Sequence, residues 1–285
     1  MSPDELRALA PEPFAALDVL RVTPAGIGRG DLDALVAALV GGLLEPDARC
    51  DRERASSVFG DALPFLEQMV LDVSSITDAE RVAAVDALGA DAFSVVQWCW
   101  SVDVCTRLFY AWRQLFEAVP RPETLDPAPS LWEALESFFA AVARCDELDP
   151  VTTELVRLRG ARAHDCRLCR SIRSLRAAEG GVTEATYDAV DHYERSALAE
   201  RHKVALRLVD AIVWQPVAYP SGLAEQVRSQ FTPGEAVELV LDVARNGANK
   251  IAVALGADAP HVEDGIEYYA IAADGTVVYG GQPSY

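Results

Sequence analysis

The chain has 285 residues, enough for one large or two small domains with a real buried core. Its 44 acidic against 25 basic residues leave a net charge of −19, which argues against a nucleic-acid partner because phosphate would be repelled. Six cysteines in this length are ordinary usage, unlike the dense disulfide framework of a small secreted protein.

The first residues, MSPDELRALAPEPF, are acidic and proline-broken and lack the basic-then-apolar form of a signal peptide. The longest apolar run, residues 34–44, is too short to span a bilayer. These features predict a soluble, cytoplasmic protein with no membrane association and with its thiols reduced at rest.

Residues 3–120 read as helices. Leu32, Leu35, Val36, Leu39 and Leu43 repeat at helical spacing behind Asp31, a candidate cap. Gly26, Gly28 and Gly30 lie just upstream. No strand precedes them and no Gly-Lys-Ser/Thr follows, so they read as a helix-entry loop and not as a phosphate cradle. Residues 65–73 continue the helical pattern, and Thr77-Asp78-Ala79-Glu80 is a capping box opening a helix through Leu88. Residues 92–116 form a strongly apolar helix carrying Trp98, Trp100, Phe109, Trp112 and Phe116. Its Cys99 and Cys105 fall near opposite faces and read as buried structural thiols.

Four prolines in VPRPETLDPAPS mark a linker at 121–129. An amphipathic helix over 131–145 follows, closed by DELDP. The next stretch, ELVRLRGARAHDCRLCRSIRSLR (154–176), holds the closely spaced pair Cys166 and Cys169 among seven arginines at 157, 159, 162, 167, 170, 173 and 176. Thiolate, not thiol, is the nucleophile, and neighbouring cations lower a cysteine pKa. In one straight helix Glu154 and Cys166 would stand about 18 Å apart, so shared chemistry requires a break, placed at Ala163-His164-Asp165. Asp165 is then the expected N-cap, with both cysteines in the first turn of a new helix running to Gly180-Gly181.

A helix opens at Thr183-Glu184, and helices over 194–213 and 221–230 flank the turn QPVAYPSG. Thr232-Pro233-Gly234-Glu235 caps a helix reaching about Leu255. Segments 266–272 and 276–279 flank Asp274-Gly275, a two-residue hairpin signal. A lone hairpin is marginal in water, so it is expected to pack on the body or on another subunit. Zinc is a weak reading of the dithiol, because Cys145, His164 and His192 supply no second ligand pair. No nucleophile elbow, His-Glu-x-x-His helix or Walker loop is present.

The spacing Glu-x11-Cys-x-x-Cys, then Gly-Gly-Val-Thr-Glu and a helical hairpin ending ARNGANKIAVALG, resembles the carboxymuconolactone decarboxylase/alkylhydroperoxidase D-like superfamily over roughly 130–258. The first half, with FLEQMVLDVSSITDAERVAAVDALGADAFSVVQWCW, reads as a degenerate copy without the dithiol. The resemblance implies an all-α, alkylhydroperoxidase D-like helical fold of two related repeats, with 1–120 and 130–260 as units and 261–285 as a hairpin tail. It implies Cys169 as the attacking thiol, Cys166 as its resolving partner and Glu154 as general base. Redox members of that superfamily usually place a histidine where this chain has Arg173. Arginine cannot shuttle protons, so Arg173 is expected to stabilise a thiolate or hold an anion. His164 is the candidate replacement shuttle.

The function so implied is a thiol-dependent oxidoreductase, either a peroxidase or a disulfide reductase. It would be regenerated by an external dithiol and need no metal, flavin or nicotinamide. A homo-oligomer, dimer or trimer, is implied as well. Two alternatives stand beside it: a non-redox, decarboxylase-like enzyme acting on an anionic lactone or organic acid, and a non-catalytic redox sensor or scaffold.

Overall fold

The structure, a computed structural model, describes residues 1–27, 32–45 and 52–283. The positions of Gly28, Gly30 and Asp31 lie outside the described residues. The first half builds α1 (Pro3–Ala8), α2 (Pro11–Val22), α3 (Leu32–Leu44), α4 (Arg52–Phe59), α5 (Leu63–Leu71), α6 (Asp78–Leu88) and α7 (Ala92–Phe116). The second half begins with α8 (Leu131–Ala143), α9 (Pro150–Ala163), α10 (Arg167–Ser171), β1 (Ile172–Ser174) and α11 (Leu175–Glu179). It continues with α12 (Glu184–Asp188), α13 (Glu200–Trp214), α14 (Leu223–Gln230), α15 (Pro233–Asn246) and α16 (Asn249–Ala254), and ends in β2 (Glu267–Ile271) and β3 (Val277–Tyr279). The chain is therefore mostly helical with one small sheet.

Local chemistry sets many of these boundaries. Thr77 and Glu80 close a reciprocal capping box on α6, and Thr232 and Glu235 do the same on α15 with Pro233 in the first turn. α7 is the central strut. It packs on α3, α5 and α6 from its own half and on α8, α14, α15 and α16 from the other. The stretch Asp78–Phe116 is long and apolar enough to cross a membrane by length and composition alone. Within it, Val96, Cys99, Trp100, Leu108, Trp112 and Leu115 are buried in the protein's own core.

That core is continuous from Leu6 to Ala254 and takes side chains from both halves. A smaller cluster, Leu155, Leu158, Ala161, Tyr187, Val190, Tyr193 and Leu206, lies on the opposite side of α9. The proline-bearing segment after α7 is laid along the first two helices. Asp18 accepts from the Glu123 amide at 2.9 Å, and Thr23 Oγ1 accepts from the Ala128 amide at 3.0 Å.

A buried ionic knot joins the halves at the centre. Asp103 on α7 accepts from Arg107 at 2.7 Å and from Lys250 on α16 at 2.6 Å. Arg107 also donates to the carbonyls of Val70, Ile212 and Val213, so three further N–H groups of its fork are spent on backbone from α5 and α13. Cys99, buried one turn before Asp103, has its thiol pushed up to about 12 by burial, with Asp103 adding to the rise. Burial raises Cys105 to about 11. Both thiols are inert at neutral pH.

The tail hairpin packs on the body. Gly275 has φ +89°, and a Cβ there would overlap the Ala140 carbonyl at the end of α8. Arg144 donates to the Asp274 carbonyl at 2.8 Å. β2 runs antiparallel to β3 and parallel to β1, with Arg173 opposite Tyr268 and Ser174 opposite Tyr269. The helix expected from the dithiol to Gly180 is thus broken by a strand, since 172–174 are drawn into pairing with the distant tail.

Candidate active site

α9 stops at Ala163, within the Ala163-His164-Asp165 stretch where the break was expected. Asp165 adopts a left-handed backbone, φ 52°, and the chain then re-enters helix. The cap of α10 is Cys166 and not Asp165: the Cys166 sulfur accepts the Cys169 amide at 3.2 Å. The left-handed turn at Asp165 swings its carboxylate out to an ion pair with Arg170.

Cys166 and Cys169 are joined as a disulfide, with Cα atoms 5.3 Å apart. Cys166 is 1 % exposed and Cys169 is half-buried. Both line a cavity of about 280 Å³ walled by Leu168, Ile172, Arg245, Asn249, Tyr269 and Tyr279, among others. The loop is pinned from below by Asp258, which accepts the Arg167 amide at 2.9 Å and its guanidinium at 2.7 Å. Burial alone would raise the Asp258 pKa, but hydrogen bonds from Arg167 outweigh it and hold the carboxyl below its ordinary range.

Glu154 is fully buried. Its carboxylate takes both arms of Arg157 at 2.7 Å, the Tyr269 hydroxyl at 2.9 Å and the Ser174 amide at 3.1 Å. Arg157 reaches on to the Cys169 carbonyl at 2.6 Å and the Ile172 carbonyl at 2.9 Å. Glu154 therefore stands one residue behind the dithiol and connects to it through Arg157. Burial, then Glu154, push the Tyr269 hydroxyl well above its usual pKa, so it stays a hydrogen-bond donor.

Arg173 and His164 point elsewhere. Arg173 is buried against Glu184 at 3.0 Å, donates to the Arg170 and Ile172 carbonyls, and lies over the Tyr187 ring. His164 Nδ1 meets Asn249 Oδ1 at 2.6 Å, and its ring lines a separate cavity of about 40 Å³ with Asp103, Arg107 and Lys250. Burial and then Lys250 depress the imidazole to about 3, so it is uncharged near neutral pH.

The arginine density of the segment is mostly neutralised. Arg157, Arg159, Arg162, Arg167, Arg170 and Arg173 pair with Glu154, Asp210, Asp191, Asp258, Asp165 and Glu184 respectively. Four of those carboxylates, Asp210, Asp191, Asp258 and Glu184, sit on other segments, so these cations stitch the fold together. Tyr269, Asn249, Asp258 and Arg245 complete the site. Sequence reasoning singled out none of these four, although Arg245 and Asn249 lie within the ARNGANKIAVALG stretch and Tyr269 within the expected hairpin. Among the described residues no three His, Cys, Asp or Glu side chains converge as metal ligands.

Fold and site together define a helical protein with a C-x-x-C dithiol closing one wall of a cavity. No family model matches the chain, and no solved structure does. Two curated proteins of Mycobacterium tuberculosis are relatives: Uncharacterized protein MT2376, from strain CDC 1551, and Uncharacterized protein Rv2313c, from strain H37Rv. Each is 38 % identical over 275 residues, spanning 92 % of this chain and 97 % of the relative. The chain belongs to the family of these mycobacterial proteins.

Proposed function

We propose that this protein is a two-cysteine thiol oxidoreductase whose chemistry is thiol–disulfide exchange. The observation that carries the reading is the Cys166–Cys169 disulfide facing a cavity, with Cys169 the more accessible sulfur. In the reduced form, Cys169 thiolate attacks one sulfur of a substrate disulfide and expels the other as thiolate. The Cys166 thiolate then attacks Cys169 Sγ, closes the internal disulfide and releases the second substrate thiolate. Two electrons pass to the substrate, and an external dithiol restores them by the same exchange.

Exchange is favoured over peroxide reduction by the acid–base inventory. A departing thiolate needs no proton, whereas a departing alkoxide does. The lone pairs of Glu154 are engaged by Arg157, Tyr269 and Ser174, and His164 is neutral and turned to another cavity. The mainly helical chain with its small sheet is compatible with an alkylhydroperoxidase D-like fold of two related repeats. Membership of that superfamily, a homo-oligomeric state and a reducing, cytoplasmic setting belong to the same reading.

The test is turnover of a small aromatic disulfide and of cumene hydroperoxide under a dithiol reductant, in the wild type, Cys166→Ser and Cys169→Ser. Disulfide turnover lost in both variants, with a trapped mixed disulfide on Cys169 in Cys166→Ser, supports the proposal. The second reading is a redox switch without turnover, favoured by the saturation of Glu154. One reversible oxidation with no catalytic cycle on either substrate would select it.

A further inference from the structure

A second cleft, of about 350 Å³, opens between the end of α8, α15 and β2, on the other side of Tyr269 and Arg245 from the dithiol. Its wall contains Asp242, only 3 % exposed, whose Oδ2 has no hydrogen-bond partner. A buried polar oxygen without a partner is costly, so an unpartnered oxygen on a cleft wall marks a place for a polar ligand group. Glu238 stands one turn earlier on the same helix and is also buried, held by the Glu147 and Leu148 amides at 2.6 and 3.0 Å.

The cleft also has a cationic side. Arg245 is half-buried, and among the described residues its one hydrogen bond runs from Nε to the Phe139 carbonyl at 3.2 Å. Arg176 on α11 is exposed at the rim. Neither guanidinium forms an ion pair among the described residues, in contrast to the six paired arginines of the neighbouring segment. A cavity of this size suits a free amino acid or a small peptide.

We propose that this cleft binds a small zwitterion, with an ammonium group on Asp242 beside Glu238 and a carboxylate facing Arg245 and Arg176. The site stands apart from the dithiol chemistry. The surrounding ionisable groups are Glu238 and Arg245 on α15, Arg144, Cys145 and Asp146 beyond α8, Arg176 on α11 and Tyr269 on β2. Burial, and then the Glu238 carboxylate, raise Asp242 to about 8, while burial raises Glu238 to about 7. Both carboxyls hold protons near neutrality when the cleft carries no cation. An arriving ammonium favours the ionised forms and so expels protons.

The experiment is calorimetric titration of the full chain at neutral pH in two buffers of different ionisation heat. The probes are the common L-amino acids and γ-aminobutyrate, with butylamine and butyrate as single-charge controls. The expected result is saturable binding of at least one zwitterion with proton release, weakened at least about tenfold by Asp242→Asn and by Arg176→Gln. Arg176 is exposed, so its variant folds even if Asp242→Asn does not. Absence of binding by every zwitterion overturns the proposal, as does binding indifferent to both substitutions. Equal affinity for butylamine would also overturn it, by leaving the arginines no role.

Discussion

Glu154 and Arg157 form a two-armed ion pair, 2.7 Å on each arm, in a place where the glutamate has no solvent contact. Removing one member of such a pair leaves the other buried and uncompensated, which costs about 3–5 kcal/mol. Glu154→Gln is therefore expected to lower unfolding stability by that order in urea melts. It should also speed alkylation of the reduced dithiol, because Arg157 would no longer be held against the Cys169 carbonyl. Unchanged stability with abolished turnover would instead make Glu154 a working base.

The knot at the centre makes a second, asymmetric prediction. Asp103 is shared by Arg107 and Lys250, so removing Lys250 leaves a satisfied pair, while removing Asp103 leaves two buried cations together. Lys250→Met should cost distinctly less than Asp103→Asn, whose loss should approach about 3–5 kcal/mol. Burial already pulls the Lys250 pKa down, which makes its neutral replacement less costly still. Denaturant melts of the two variants decide the order, and a reversal would mean that Lys250, not Asp103, anchors the halves.

What was legible in the sequence was what depends on neighbours along the chain. The capping boxes at Thr77 and Thr232, the apolar α7 and the Asp274-Gly275 turn each rest on a few consecutive residues. So does the break placed at Ala163-His164-Asp165, where α9 ends. What was not legible depends on distant partners. Residues 172–174 form a strand only because β2 lies beside them. The arginines looked like a cationic field because their acids, among them Asp210, Asp191 and Asp258, lie elsewhere in the sequence. Glu154 looked free for chemistry because neither Tyr269 nor the Ser174 amide can be assigned to it without the fold.

Two sets of buried groups give stability an opposed pH dependence. Asp242 and Glu238 are raised to about 8 and about 7, so the folded state binds their protons more tightly than the unfolded chain does. Their contribution is complete below the ordinary carboxylate pKa and is lost as pH rises through those values. His164 is depressed from 6.5 to about 3, so its contribution is complete above 6.5 and is lost as pH falls toward 3. Between pH 6.5 and 8 the histidine term is flat and only the carboxylates act. Stability should fall across that window in the wild type, and Asp242→Asn should flatten the fall. Urea midpoints measured across it provide the check, and a rise with pH would show that the two acids are ionised in the folded protein.

The hairpin tail is what brings Tyr269 to Glu154, and its seat depends on one glycine. Gly275 combines a left-handed φ of +89° with direct contact against the Ala140 carbonyl, so alanine there meets both backbone strain and a steric clash. Strain of this kind costs about 1–3 kcal/mol, and the clash adds a displacement of the turn from α8. Gly275→Ala should therefore loosen the tail, exposing the β2 amides to hydrogen exchange while α7 and α15 stay protected. Tyr269→Phe separates the two effects, since it removes the bond to Glu154 but leaves the hairpin seated. If the tail's job is to hold the Glu154–Arg157 clamp behind the dithiol, both variants should raise the alkylation rate of the reduced cysteines. Only Gly275→Ala should change exchange in the strands. Fast alkylation in neither would mean that Arg157 keeps its grip on the Cys169 carbonyl without help from the sheet.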